Sequence, residues 1–478
     1  MRISRKLYCV LVLASFALLL VFTTTNAANM TLIAEIPITA QPANSGIGYL
    51  GGAAWTITPN PAPPPPLLTN ASFDLLSFDP VRQIMYSADR PNHGVDVINT
   101  QTNTLVGFIP VIDPSATGAN KTCVNGLGSC PSGVQVAPDL RQLIVTDRGA
   151  SPSGGVYIYD LTASAAPQVP TKVVQLPNAR GTDELNYDPL NKRVYVNNTT
   201  NTGDSLGRYF MSVIDVNPAS ATYGQLLGQI PIASGANSPE QPRFDPLDCT
   251  ATPGTGCIYT TTGGNSTLLR INPNFALNAT DPSQNVGAII KTIQLPGCSP
   301  AGFDVNTAGN TGLLGCNPGA PNGFPQELIN LTTDTIIGQI PGITATDVLA
   351  FDPHLNEWFT ASQNLLVSNG CPASQANAAQ FPQVGGIFEN PNPGLQVACS
   401  GQGAHGIGVD TTNDRLYVPV GIFPSNGASS PACPNLTQST PCTGILVFQA
   451  QAVPEPSSLL LLGFGLAGFF IQLKRLRT

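Results

Sequence analysis

Seven polar side chains recur at one fixed position of an internal repeat: Asp74, Ser132, Asp183, Glu240, Ser299, Asp347 and His405. Carboxylates gathered around a common axis repel one another unless they are protonated or neutralised by a cation. Oxygen donors of this kind suit calcium or magnesium, so the set is a candidate ligand or cation site, with Ca2+ as its candidate cofactor. The plainer reading is that Asp and Ser at strand starts bond to nearby backbone and cap turns. Little else in the chain looks catalytic. There are three histidines, His93, His354 and His405, and neither a G-x-S-x-G elbow nor an H-E-x-x-H pair. Gly401 to Gly406 fits G-x-G-x-x-G, but a β-rich run, Ile407 to Val409, follows where a dinucleotide site needs a helix N-terminus. It reads as a loop, and the catalytic residues stay unassigned.

The elements that must position this set are short strands. An apolar residue, Asp-Pro or a variant, a polar turn and a β-rich run recur along the chain. The phrase occurs at Phe78-Asp79-Pro80, Val136-Ala137-Pro138, Tyr187-Asp188-Pro189, Phe244-Asp245-Pro246, Phe303-Asp304, Phe351-Asp352-Pro353 and Val409-Asp410. The copies lie on average about 55 residues apart, room for four strands and their turns, which is the period of a β-propeller blade. The expected fold is therefore all-β, a seven-bladed β-propeller. The last copy has a third strand, Gly444 to Phe448, and no fourth after it, while Thr31 to Ile38 matches the outer strands. The N-terminal strand is expected to complete the last blade and remove the open sheet edge. Thr39 to Ala71, ending in the proline run 63–66, reads as an inserted loop with a stiff polyproline spacer.

Only 10% of the 478 residues are charged, and Gly (47) and Pro (45) are abundant, which suits a turn-rich β fold. Arg2, Arg5 and Lys6 precede an apolar run from Leu7 to Phe22 and the small residues Ala27 and Ala28, the pattern of a secretory signal peptide over residues 1–27. The body, residues 28–452, keeps 14 basic and 27 acidic residues, a net of −13, which argues against nucleic acid as a partner.

At the other end, residues 453–478 hold Pro454, Glu455 and Pro456, an apolar stretch from Leu459 to Leu473, and Lys474, Arg475 and Arg477. This order resembles the PEP-CTERM sorting signal of Gram-negative bacteria. The resemblance implies an exosortase as partner, cleavage near Pro454 to Pro456, transient membrane insertion through the short apolar helix, and delivery to the cell surface or extracellular matrix. The basic cluster would hold the helix end on the cytoplasmic side.

Lys192 to Asn198, followed by Ser212 to Val216, resembles the YVTN-type propeller repeat of bacterial surface proteins. That resemblance implies a seven-bladed propeller with a binding or surface role and names no ligand. The expected function is a binding or scaffold module, with exopolysaccharide or surface proteins as candidate partners. A likeness at fold level to gluconolactonase-type propellers, which hold a divalent cation in the channel, suggests the alternative of a cation-dependent lactonase-like hydrolase.

Without Cys9 in the signal peptide, ten cysteines remain, an even number in an exported chain, and no C-x-x-C pair suggests zinc. The repeat map places them in five sequential pairs: Cys123 with Cys130, Cys249 with Cys257, Cys298 with Cys316, Cys371 with Cys399, and Cys433 with Cys442.

Overall fold

The computed structural model describes residues 31–38, 49–50, 53–54, 73–90, 94–111, 131–147, 155–163, 169–176, 180–200, 209–232, 239–247, 254–317, 326–340, 346–362, 383–388, 396–399, 406–420 and 443–450. Antiparallel four-stranded sheets follow one another along the chain, each built from the inside outward. Their inner strands are Leu76–Asp79, Val134–Ala137, Arg180–Asp188, Pro239–Asp245, Ser299–Asn306, Thr346–Asp352 and Gly408–Asp410. Six of these sheets have side chains described in all four strands. In the sheet that starts at Thr346–Asp352 they are described in the inner two. The structure thus shows a β-propeller with six fully described blades, where the repeat led to an expectation of seven.

The second strands are largely buried on both faces, as in Gln142–Asp147, where all six residues are buried around the apolar run Leu143 to Val145. Burial on both faces leaves no strict alternation of apolar and polar residues along such a strand. The turn from inner to second strand explains the Asp-Pro phrase. The carboxylate of Asp79 accepts from the backbone N–H of Val81 and Arg82, at 2.9 and 3.1 Å. Asp188, Asp352 and Asp410 repeat the arrangement. The turn then closes through a left-handed residue: Gln83, Arg141, Lys192, Asn310, Asn356 and Asp414 all have φ between 50 and 56°. A non-glycine residue adopts that conformation only where the surrounding hydrogen bonds enforce it.

This register corrects one repeat marker. In the fifth sheet Asn306 pairs with Thr311 and accepts from Gly309 N, and the left-handed Asn310 follows four residues later. Asn306, not Asp304, therefore stands where Asp79 and Asp188 stand. Phe303-Asp304 imitates the repeat phrase two residues early.

Neighbouring blades are tied by second-strand side chains. Arg193 and Tyr195 of the third sheet donate to Pro273 O of the fourth, at 2.8 and 3.2 Å. Arg415 and Tyr417 of the last sheet donate in the same way to Thr100 O of the first. The N-terminal strand Thr31–Ile38 pairs antiparallel with the final strand Thr443–Gln449, as outer strand of the last sheet.

Pairing also sorts the connections between two faces. The capped turns after Asp79, Asp188 and their equivalents define one face, called here the turn face. On the opposite face, called the mouth face, the strands flanking residues 39–72, 112–130, 363–382 and 421–442 end and restart. Of the expected disulfides, Cys298–Cys316 is described, with Cα atoms 5.0 Å apart. Cys257 is disulfide-bonded too, its partner falling outside the described residues. Cys123, Cys130, Cys249, Cys371, Cys399, Cys433 and Cys442 lie outside the side chains described.

Candidate functional site

The axis of the propeller is lined by the residue two positions before each turn marker: Ser77, Gln135, Asn186, Arg243, Asp304, Ala350 and Gly408. All but Ala350 and Gly408 are polar, and all seven border one cavity of about 190 Å³. The polar ones satisfy each other from blade to blade. Gln135 donates to Ser77 Oγ at 3.4 Å, Asn186 donates to Gln135 Oε1 at 3.2 Å, and Asn186 Oδ1 accepts from Phe244 N at 2.8 Å. Arg243 Nε donates to Asp304 Oδ1 at 3.0 Å, and Asp304 Oδ2 accepts from Phe351 N at 2.8 Å. Burial raises the Asp304 pKa, and the Arg243 guanidinium opposes that shift. This belt links sheets to one another and leaves the channel interior with paired polar groups.

Toward the mouth, the inner strands are bulged. One extra residue interrupts the pairing between Thr182 and Leu185, Glu240 and Arg243, Pro300 and Gly302, and Thr346 and Val348. Asp74 and Leu75 together face Ala88, and Ser132 and Gly133 together face Thr146. A bulge re-aims a side chain and leaves a residue out of the ladder. The carbonyl at this position docks on the preceding blade: Thr146 Oγ1 donates to Asp183 O at 2.5 Å and Thr261 Oγ1 to Ala301 O at 3.1 Å.

Those two contacts place Ala301, not Ser299, beside Asp183, Glu240 and Asp347 in the repeat. Ser299 lies two residues upstream and donates to Gly263 O at 2.9 Å. Asp74 is buried and ion-paired with Arg90. Ser132 and Asp183 are also buried. Glu240 and Asp347 are half-buried. His405 lies outside the described residues.

Sequence reasoning missed the side chain that joins this group electrostatically. Glu184, the residue after Asp183, is buried and accepts from the backbone N–H and the side-chain amide of Gln241 in the next blade. Burial raises its pKa, and the negative charges of Glu240 and Asp347 push it further in the same direction. Gln241 itself is held at φ 45°, and Arg243 donates to its Oε1 at 2.7 Å. The second residue of each bulge would have been found by searching one position further along the repeat.

Two other groupings bring side chains of metal-ligating types together. Among the described residues, the one set of three ligand atoms within 4.8 Å of one another comprises Cys298, Cys316 and Glu327, and its sulfurs are spent on the disulfide. The described carboxylates of the mouth do not converge on such a point. Asp89 and Asp96 form a buried acidic pair in the first sheet, in which burial, Asp89's charge and a hydrogen bond from Asp96 to Asp89 hold the Asp96 pKa well above its usual range. Of the histidines, His354 is described. It pairs with Asp414 at 2.6 Å on the turn face, away from the mouth.

Comparison with known families adds the end of the chain. Residues 452–475 match the PEP-CTERM protein-sorting motif. Together the fold and this signal define an exported β-propeller that is processed by an exosortase and carries a Gram-negative surface-sorting signal. No curated protein matches the chain. Among the described residues no helix is long and apolar enough to cross a membrane, and the apolar stretch 459–473 lies outside them.

Proposed function

We propose that the chain is a seven-bladed, YVTN-type propeller acting as a binding or scaffold module of the cell surface or extracellular matrix, with its ligand-binding face at the mouth. The closed ring is supported by the inner strands, which touch in the cyclic order of the chain with the strand at Gly408 returning to the one at Leu76. The binding role rests on one observation, the division of connections between the faces. The turn face carries the tight, internally capped turns after Asp79, Asp188 and Asp410 together with connections at 246–256 and 272–288, whereas the mouth face carries the four longest, 39–72, 112–130, 363–382 and 421–442. Ligand-contacting residues concentrate on loops that a rigid scaffold positions. Asp183, Glu240 and Asp347, with Asp74 and Ser132, lie at the mouth ends of their strands, and uncharged polysaccharide hydroxyls or basic protein segments complement them.

The test is retention of isolated exopolysaccharide by the purified full chain. Glu240→Gln combined with Asp347→Asn should weaken retention, whereas Arg141→Ala on the turn face should not. Equal binding by both variants would contradict the reading. The alternative, a cation-dependent lactonase-like hydrolase, requires a calcium-dependent rise in melting temperature, removed by Glu240→Gln, together with lactone turnover. The binding reading expects neither.

A further inference from the structure

We infer that the turn face of the propeller rests on the phospholipid bilayer that receives the sorting segment, so that the mouth face points away from the membrane. This goes beyond the binding reading, which does not depend on it. Both described ends of the chain leave from the turn face. Thr31 lies opposite Gln449, and Ala450 N donates to Asp414 O at 2.9 Å, beside the turn after Asp410. The sorting motif begins at residue 452. The apolar stretch begins at Leu459, at most about 30 Å of extended chain from Ala450. The face nearest Ala450 is therefore held close to the lipid surface as long as the sorting segment is intact.

The same face is chemically suited to that neighbour. At equivalent turn tips the chain presents Pro80-Val81, Pro189-Leu190 and Pro246-Leu247, with Val81 73%, Leu190 50% and Leu247 40% exposed. The carboxylates of the same turns point inward: Asp79 and Asp188 are 0% and Asp245 is 1% exposed. Nearby, Asp139 is engaged by Lys192 and Asp414 by His354. Three of the seven equivalent tips thus offer apolar contacts, while the second sheet places Asp139 there, paired with Lys192, and Asp160 is exposed on the same face. Isolated exposed apolar residues are ordinary, but three at equivalent places on the face from which a membrane segment departs fit shallow insertion at the headgroup boundary.

The experiment uses the full chain reconstituted into vesicles of phosphatidylethanolamine and phosphatidylglycerol, with acyl chains brominated near the headgroup as fluorescence quenchers. A tryptophan is introduced on the turn face by Leu190→Trp, or by Val81→Trp should the first variant misfold, and on the mouth face by Asn265→Trp. The unsubstituted protein supplies the background. The inference expects quenching of the turn-face tryptophan at least about twofold stronger than of the mouth-face one. Equal quenching, stronger quenching at residue 265, or none at either position would overturn it.

Discussion

Arg243 and Asp304 meet on the propeller axis, Nε to Oδ1 at 3.0 Å, and the second oxygen of Asp304 accepts from Phe351 N at 2.8 Å. One carboxylate thereby joins three consecutive sheets. Removing one partner of a buried pair leaves an uncompensated charge and typically costs about 3–5 kcal/mol. Arg243 keeps Gln241 Oε1 and Pro242 O as acceptors, so Asp304→Ala should fall at the low end, about 3 kcal/mol by urea unfolding. Asp304→Asn, which retains an acceptor for Phe351 N, should lose less.

Glycines where blades meet set a second expectation. A Cβ on Gly302 would lie 2.7 Å from the backbone oxygen of Asp347 in the following blade. Gly302→Ala must push two inner strands apart, and overpacking of this kind costs about 1–3 kcal/mol. Gly406 stands in the same relation to Asp74 O, across the junction of the last and first sheets. Gly406→Ala should lower the melting temperature comparably if that junction is closed, and leave it unchanged if it is open.

Stability should increase toward mildly acidic pH. Burial raises the pKa of Asp188, Asp304, Glu327 and Asp352, and that of Asp245 up to about 6. Burial with acidic neighbours raises Asp96 and Glu184. A carboxyl raised in the folded state binds its proton where the unfolded chain has lost it. Its contribution is complete below the unfolded value of about 4 and is lost as pH rises through the folded value. For Asp245 that window runs from about 4 to about 6. The melting temperature should therefore rise from pH 7 to pH 5, and Asp96→Asn should flatten the profile. A fall over that range would contradict the assignment of these groups.

The Cys298–Cys316 bridge closes a loop with a sequence separation of 18. Loop-closure entropy for that length is worth about 3 kcal/mol. Cys298→Ala with Cys316→Ala should lose stability of that order, read by urea unfolding.

Much of the fold was legible because the turn chemistry repeats. An Asp that caps two backbone N–H groups, a following Pro and a left-handed residue at a fixed distance leave their mark on sequence, and they located most of the inner strands. The copy at Phe303-Asp304 misled for a physical reason: Asn306 caps the turn as well as Asp does, without a proline, while Asp304 serves the axis. The site was less legible. Asp183 and Glu240 were visible as repeat positions, but Glu184 acquires its environment from a bulge and from Gln241 of the next blade. Neither is written in the local pattern.

The division of labour between the faces is tested most directly by hydrogen exchange of the full chain with and without isolated exopolysaccharide. The account predicts slowed exchange in peptides bordering the mouth, notably residues 73–76, 183–186 and 345–349, and none in the turns after Asp79, Asp188 and Asp410. Protection confined to those turns, or absent from both faces, would contradict it.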